Sequence, residues 1–194
     1  MKIVLISALA FLIGSIPIGQ IIAKSRGIDL QKAGSGNVGA TNVLRTTGKL
    51  PALFTLIGDY AKGMIVVLLA GFLEVGSFYQ GIIGIMAVLG HNFSIFLKFK
   101  GGKGVATSLG VLSIYAPPAA LVTVVLWLMT VALTRYSSLG AIISFSSLPL
   151  TIFLLDTKEK LPIAVIISII LLVRHKDNFK RLIAGTESRV GGKA

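Results

Sequence analysis

Long uncharged apolar runs recur along this chain, and they constrain its fold more than any motif does. Hydrophobic residues make up 54% of the sequence and charged residues only 13%, whereas about a quarter of a soluble domain is charged. Runs of this kind lie in a membrane, where the backbone satisfies its own hydrogen bonds by forming helices. The sequence therefore predicts an all-α, polytopic integral membrane protein.

Seven apolar segments are predicted to cross the membrane: residues 3–23, 51–73, 78–97, 105–116, 118–134, 139–155 and 161–173. The first segment has features of a signal peptide, but the later spans favour a retained helix. The run from 105 to 134 is either one kinked helix or two helices, and its central proline pair favours two. The fourth segment, of about 12 residues, is too short to cross the bilayer alone. We expect it to lie among other helices, with its start below the cytoplasmic surface.

Charge predicts the orientation. The chain carries a net charge of +12, and with seven spans all of that charge falls on one side of the membrane. Lys and Arg accumulate in cytoplasmic loops, so the N-terminus is expected outside and the C-terminus in the cytoplasm. The basic charge is thereby explained by topology, and no nucleic-acid partner is expected. Residues 1–194 are expected to form a single membrane-embedded domain.

The composition also excludes several kinds of site. The chain has no cysteine and only two histidines. A cysteine nucleophile, a thiolate metal site and a disulfide framework are excluded, and a histidine-rich metal cluster is disfavoured. No cofactor is expected.

The first of three polar stretches on the predicted cytoplasmic side is GSGNVGATNVLR, residues 34–45. Glycine allows backbone N–H groups to approach an anion, Ser, Thr and Asn add side-chain donors, and Arg adds a planar fork suited to phosphate. A turn-rich polar loop without a ligand is the alternative. The density of donors favours an anion site formed by Ser35, Gly36, Asn37, Gly39, Thr41, Asn42 and Arg45.

The second stretch runs from Gly90 to Thr107 and contains KFKGGKGVAT. Lys98 and Lys100 are explained as anchors to lipid head groups, but the three glycines are not. Flexible backbone, a lysine and the N-terminus of the following helix together favour an anion. The spacing does not match a nucleotide-binding Walker A loop. The expected binding residues are Gly101, Gly102, Lys103, Gly104 and Thr107, with His91 either a substrate contact or a structural residue.

The third stretch is RHKDNFKR, residues 174–181, which continues to Gly185-Thr-Glu187. His175 and Asn178 are three residues apart and share a helical face, so both are candidate substrate ligands. The other basic residues in this stretch could serve only to fix topology.

Two charged residues, Asp59 and Lys62, lie inside the second predicted span. Charges at that depth are costly and usually face each other or a cavity. A mutual ion pair is the simpler interpretation, and a contribution to a polar cavity is the alternative. Arg135 and Ser138, in TRYSSLG, are expected to border the same site.

These stretches resemble the bacterial acyl-phosphate:glycerol-3-phosphate acyltransferase family, the PlsY type. The matching segments are GSGNVGATNVLR, GHNFSIFLKFKGGKGVAT and RHKDNFKRLIAGTE, and GSIPIG and TRYSSLG are similar as well. The resemblance covers nearly the whole chain. One departure is Ser94, where the family usually has proline, and this is expected to affect helix geometry rather than chemistry.

The resemblance implies an enzyme of the bacterial cytoplasmic membrane with its active site on the cytoplasmic side. Its substrates would be acyl phosphate and glycerol 3-phosphate, and its products lysophosphatidic acid and inorganic phosphate. Ser35, Arg45 and Lys103 would hold phosphate groups, and His175 and Asn178 would hold glycerol 3-phosphate. Direct transfer without an acyl-enzyme is expected, by a monomer. The alternative is a membrane transporter of phosphorylated metabolites, although the chain shows no internal repeat of the kind that transporters often have.

Overall fold

The computed structural model describes residues 1–191 of the 194-residue chain. The last three residues of the predicted domain 1–194 lie outside the described residues. Within residues 1–191 every regular element is helical, and no strand occurs. The α-helices are α1 (Lys2–Ser15), α2 (Ile18–Lys24), α3 (Ala40–Thr46), α4 (Lys49–Phe72), α5 (Ser77–Asn92), α6 (Val105–Tyr115), α7 (Pro117–Thr134), α8 (Ser137–Ser146), α9 (Leu148–Leu155), α10 (Leu161–Arg174) and α11 (Lys176–Ile183), with short 3₁₀ helices at Ile95–Leu97 and Lys158–Lys160.

Helices occupy all seven predicted apolar segments. Four of them are long and apolar enough to span a membrane, namely Lys2–Lys24, Lys49–Phe72, Ser77–Leu97 and Pro117–Thr134. A fifth span forms if α8 and α9, which are bent by 42° relative to each other, count as one. Pro149 near the start of α9 lacks an N–H group, which accounts for a break at this point. The structure thus confirms an all-α membrane protein with four to five candidate spans by length and composition.

The ambiguous run from 105 to 134 consists of two helices, as its prolines predict. Helix α6 ends at Tyr115 and α7 begins at Pro117. Proline is favourable at the first position of a helix, because its missing N–H would have no intrahelical acceptor there. The outer face of α7 leaves Leu121, Leu128 and Leu133 exposed, as expected for side chains that contact lipid.

Glycines bring α4 and α6 into close contact. A Cβ atom on Gly63 of α4 would overlap the carbonyl of Thr107, and one on Gly110 of α6 would overlap the carbonyl of Tyr60. Only glycine permits the two backbones to approach this closely. The contact fixes the start of α6, and with it the loop that precedes α6, relative to α4.

The connection after α5 holds the one residue that departs from the family pattern. Ser94 has φ −56°, a value that proline also adopts. Its buried hydroxyl donates a hydrogen bond of 2.5 Å to the carbonyl of Ser15 at the end of α1. The departure therefore preserves the backbone angle and adds a contact between α1 and this connection.

Candidate active site

One cavity of about 400 Å³ lies among α3, α4, α6, α7, α8 and the C-terminal segment. Its polar lining includes Ser35, Arg45, Lys103, Ser138, His175, Asn178, Arg181 and Glu187. Its hydrophobic lining includes Leu44, Ala52, Leu53, Leu56, Val105, Ala106, Trp127, Val131 and Ala141. The three polar stretches of the sequence therefore meet in one cavity that also has a large hydrophobic lining.

The loop before α3 is organised by Asn42, which is 2% exposed. Its Oδ1 accepts the N–H of Ser35 at 2.9 Å, and its Nδ2 donates to the carbonyls of Asn37 at 2.7 Å and Ala33 at 3.0 Å. These bonds occupy the amide, so Asn42 shapes the loop instead of offering free donors to an anion. Asn42 also lines the cavity, and direct phosphate binding by this residue stays a prediction.

The other residues of this stretch present a curved polar wall. Asn37 accepts the N–H of Gly39 at 2.8 Å on its side-chain oxygen, and Thr41 lies 3.3 Å from the hydroxyl of Ser137. Arg45, in the last turn of α3, donates to the carbonyl of Ser188 at 3.0 Å. Gly36 does not line the cavity. With φ +73° it serves a turn, a conformation that glycine adopts without strain.

The N–H groups of the glycine loop before α6 form hydrogen bonds within the protein. The N–H groups of Gly101 and Gly102 donate to the carbonyls of Asn92 and His91 at 3.2 and 3.0 Å. A Cβ atom on either glycine would overlap His91. Gly101 and Gly102 are therefore needed for close packing on the end of α5 and do not line the cavity. Their role as phosphate ligands stays a prediction.

The end of this loop and the first turn of α6 do line the cavity. Gly104, with φ +84°, is the N-cap of α6, and it lines the cavity together with Val105 and Ala106. The first N–H groups of a helix have no intrahelical acceptor and carry partial positive charge. Thr107 is fully buried and does not line the cavity, and its contact with substrate stays a prediction.

Lys103 is the charged centre of this loop. Its ammonium donates to the side-chain oxygen of Asn178, on α11. Burial, assisted by the positive charge of Arg181, lowers the pKa of Lys103 to about 8. Lys103 is thus mostly protonated at neutral pH, in a site where a bound anion would compensate its cost of burial.

His175 joins α10 to α11 and is 4% exposed. Its Nδ1 lies 2.8 Å from the carbonyl of Leu171, and since a carbonyl only accepts, Nδ1 carries the proton. Burial lowers the pKa of His175 to about 4. At neutral pH the ring is therefore uncharged, with Nε2 as a hydrogen-bond acceptor.

Glu187 was not predicted as a site residue, yet it connects three polar residues of the cavity wall. It accepts hydrogen bonds from Ser138 and Asn178, both at 2.6 Å, and from Arg181 at 2.7 Å. Burial disfavours its charged form, but these bonds outweigh burial and lower its pKa. An acid in a segment that is mostly basic was the available sequence signal, and it shares that signal with Asp177. Ser138 borders the site as expected.

The buried charges of α4 form an ion pair, and one of them reaches the cavity. Asp59 and Lys62 are 2.9 Å apart, and the Lys62 ammonium also lies 2.8 Å from Nδ1 of His91. Asp59 and His91 line the cavity. The structural interpretation of His91 is favoured, because its ring is paired with Lys62 and packed against Gly102. Within residues 1–191, no three His, Asp or Glu side chains are placed to hold a metal ion.

Comparison with known proteins identifies the family. A model of the family described as Glycerol-3-phosphate acyltransferase matches residues 4–185. The chain belongs to the glycerol-3-phosphate acyltransferase family. Members of this family named glycerol-3-phosphate acyltransferase include one from Trichlorobacter lovleyi, 47% identical with 93% of each chain covered. Another, from Geobacter sulfurreducens, is 42% identical with 95% of this chain and 96% of the relative covered.

Solved structures of the family are similar over nearly the whole chain. The crystal structure of PlsY (YgiH), an integral membrane glycerol 3-phosphate acyltransferase, in its glycerol 3-phosphate form, superposes with a TM-score of 0.92 at 38% identity, covering 98% of this chain and 96% of that one. Its lysophosphatidic acid form gives a TM-score of 0.89, covering 97% and 95%. The resemblance seen in the sequence motifs is thereby confirmed at the level of family and fold.

Proposed function

We propose that this protein transfers an acyl group from an acyl phosphate to the 1-hydroxyl of glycerol 3-phosphate, releasing lysophosphatidic acid and inorganic phosphate. The observation that carries the proposal is a cavity lined both by basic and polar groups and by hydrophobic side chains. One substrate is a small anion and the other joins an anion to a long hydrocarbon chain. Burying the chain contributes about 0.8 kcal/mol per methylene, so the hydrophobic lining would dominate donor binding.

The proposed topology follows from charge. Seven crossings, with the N-terminus outside and residues 1–194 as a single domain in the bacterial cytoplasmic membrane, place the net charge of +12 in the cytoplasm. Glycerol 3-phosphate, which is dissolved in the cytoplasm, would then reach the basic residues of the cavity from that side. Helices α6 and α10 have 11 and 14 residues, so they would cross only when surrounded by longer helices. We propose that the protein acts as a monomer, because one chain supplies both the basic and the hydrophobic lining of the cavity.

The polar side chains divide into two proposed roles. Lys103, Arg45 and the first turn of α6 would hold phosphate oxygens and balance charge that develops during transfer. Asn178 and His175 would orient glycerol 3-phosphate, with Nε2 of His175 accepting a hydrogen bond from a hydroxyl group. Ser35 would contribute one further hydroxyl donor to phosphate.

The proposed chemistry is a direct transfer. The glycerol hydroxyl oxygen forms a bond to the acyl carbonyl carbon, and the bond from that carbon to the phosphate oxygen breaks, its electron pair leaving with phosphate. Acyl phosphate is already activated, so positioning and charge stabilisation can supply the catalysis. A base is most effective when its pKa lies near the working pH, and His175, at about 4, lies well below it. We therefore assign the proton to a substrate phosphate.

The test measures inorganic phosphate released by purified protein from palmitoyl phosphate with and without glycerol 3-phosphate. We expect release to require both substrates and to fall by more than about 10²-fold in Lys103→Ala. The matched control is Lys100→Ala, which removes an exposed lysine from the same loop and should leave release unchanged. His175→Ala should keep a rate within about 10²-fold of the wild type, at the low end of what losing a general base costs.

Failure would favour the transporter. If folded wild-type protein releases no phosphate, the transferase is excluded, and uptake of glycerol 3-phosphate into liposomes becomes the decisive assay. Trapping of an acyl group on Ser35 would instead retain the transferase and refute direct transfer.

A further inference from the structure

Arg174, the last residue of α10, contacts the glycine loop through its guanidinium. Nε donates to the carbonyl of Gly102 at 3.1 Å, and Nη2 donates to the carbonyls of Gly102 at 2.8 Å and Gly101 at 3.1 Å. The guanidinium also lies over the ring of Phe93, 5.3 Å from its centre. The residue is therefore held on two sides, by backbone carbonyls and by an aromatic face.

The two glycines are consequently fixed through both of their backbone groups. Their N–H groups donate to the end of α5, and their carbonyls accept from Arg174 on α10. The next residue is Lys103, whose ammonium donates to Asn178 on α11. At the junction of α10 and α11, Arg174 thus holds the backbone before Lys103, and Asn178 holds the end of the Lys103 side chain.

The turn that leads into these glycines has a backbone conformation that is intrinsically unfavourable. Lys98 and Phe99 both have positive φ, 51° and 62°, a region that is unfavourable for residues with a side chain. Surrounding contacts must maintain this conformation. Arg174 supplies three such contacts, which are its hydrogen bonds to the two glycines after the turn.

We propose that Arg174 is a positioning residue for Lys103 and the start of α6. It touches neither reacting group and does not line the cavity, but it sets where the lysine and the first helical N–H groups stand. The planar fork of arginine suits this task, because two adjacent donors converge on one carbonyl, and lysine cannot reproduce that geometry. The effect of Arg174 on activity rests on the proposed function of the cavity, whereas its effect on the loop does not.

The alternative is that Arg174 contributes only positive charge at the cytoplasmic boundary. Arg174→Lys separates the two roles, since it keeps the charge and removes the fork. Lys176→Ala is the matched control, because Lys176 is exposed, lies two residues away and carries the same charge. Both variants are made in the full chain and compared with the wild type in detergent micelles.

The first readout is hydrogen exchange of the backbone amides, which needs no activity. Arg174→Lys should speed exchange at Gly101 and Gly102, whose N–H groups are hydrogen-bonded, and leave α4 and α5 protected, whereas Lys176→Ala should change neither. Unchanged exchange at the loop overturns the proposal. So does protection lost evenly across the helices, since Arg174 would then stabilise the whole fold and not the loop.

The second readout is kcat/KM for phosphate release from palmitoyl phosphate and glycerol 3-phosphate, measured against pH. Misplacement of catalytic groups by about 1 Å can cost 10²-fold, so we expect a loss of roughly 10- to 100-fold in Arg174→Lys. Lys103 faces charges from Arg45, Arg174, Arg181 and Glu187, and Arg174→Lys preserves all of these. A loosened loop admits water, and the alkaline limb of the profile should then move up towards the ordinary lysine pKa of 10.5.

A loss of fold stability alone would not move that limb. Activity within twofold of the wild type, or an equal loss in Lys176→Ala, overturns the proposal. An inactive wild type refutes the transferase, and in that case the exchange measurement alone still decides whether Arg174 holds the loop.

Discussion

The lowered pKa of Lys103 predicts that the enzyme loses catalytic efficiency at alkaline pH. Burial lowers this pKa to about 8, so the ammonium that we assign to phosphate is lost as pH rises through that value. At pH 9 roughly one lysine in eleven remains charged, and kcat/KM should be about tenfold below its value at pH 7. Glycerol 3-phosphate does not contribute to this limb, because the second pKa of a phosphate monoester is about 6.

The assay follows phosphate release between pH 7 and pH 10, with spontaneous hydrolysis of the acyl phosphate subtracted at each pH. The profile of kcat/KM reports the free enzyme. Bound phosphate stabilises the ammonium and raises its pKa, so the alkaline limb in kcat should lie at higher pH than the limb in kcat/KM. Lys103→Arg keeps its charge throughout this range and should lose the limb, whatever its absolute rate. A flat wild-type profile, or the same limb in Lys103→Arg, would refute the reasoning.

Three further predictions concern packing, buried charge and the histidine. Gly102→Ala should lower the thermal midpoint and the activity, because its Cβ would overlap the imidazole beneath it, whereas Gly71→Ala, where a Cβ meets nothing within 4 Å, should do neither. Removing one partner of the buried Asp59–Lys62 pair should cost about 3–5 kcal/mol of stability, and the double variant Asp59→Asn/Lys62→Met should recover part of that loss. If the double variant instead lowered the thermal midpoint by the sum of the two single losses, the pairing would be contradicted. His175 stays neutral down to a pKa of about 4, so His175→Gln and the wild type should share one pH dependence of kcat/KM from pH 5 to 7. An acidic limb present only in the wild type would show that the ring titrates there.

The sequence predicted the helices well, because apolar runs report directly on burial in lipid. The convergence of Ser35, Arg45, Lys103, His175 and Asn178 was also predictable, since the predicted topology puts their three segments on one side of the membrane. Helices α6 and α10 are shorter than a bilayer core, so the prediction of seven crossings rests on the charge distribution.

The orientation of individual groups could not be predicted. Gly101 and Gly102 were expected to turn their N–H groups to phosphate, but those groups bind the end of α5. The amide of Asn42 likewise binds its own loop. In both cases the hydrogen-bond partner is chosen by how segments pack in space, which composition and spacing do not encode. Glu187 was missed for the same reason, because its three donors come from α8 and α11.

The paired glycine contacts between α4 and α6 have a consequence for how the depth of the active site can vary. Gly63 and Gly110 each receive a carbonyl of the opposite helix, so the two helices interlock like teeth and cannot slide by small amounts. A slide by a whole turn, about 5.4 Å, does not restore the contacts, because Asp59, Val67, Ala106 and Ile114 lie one turn from these glycines and all carry side chains. The close contact is therefore available in one register, which fixes the height of Lys103 relative to α4.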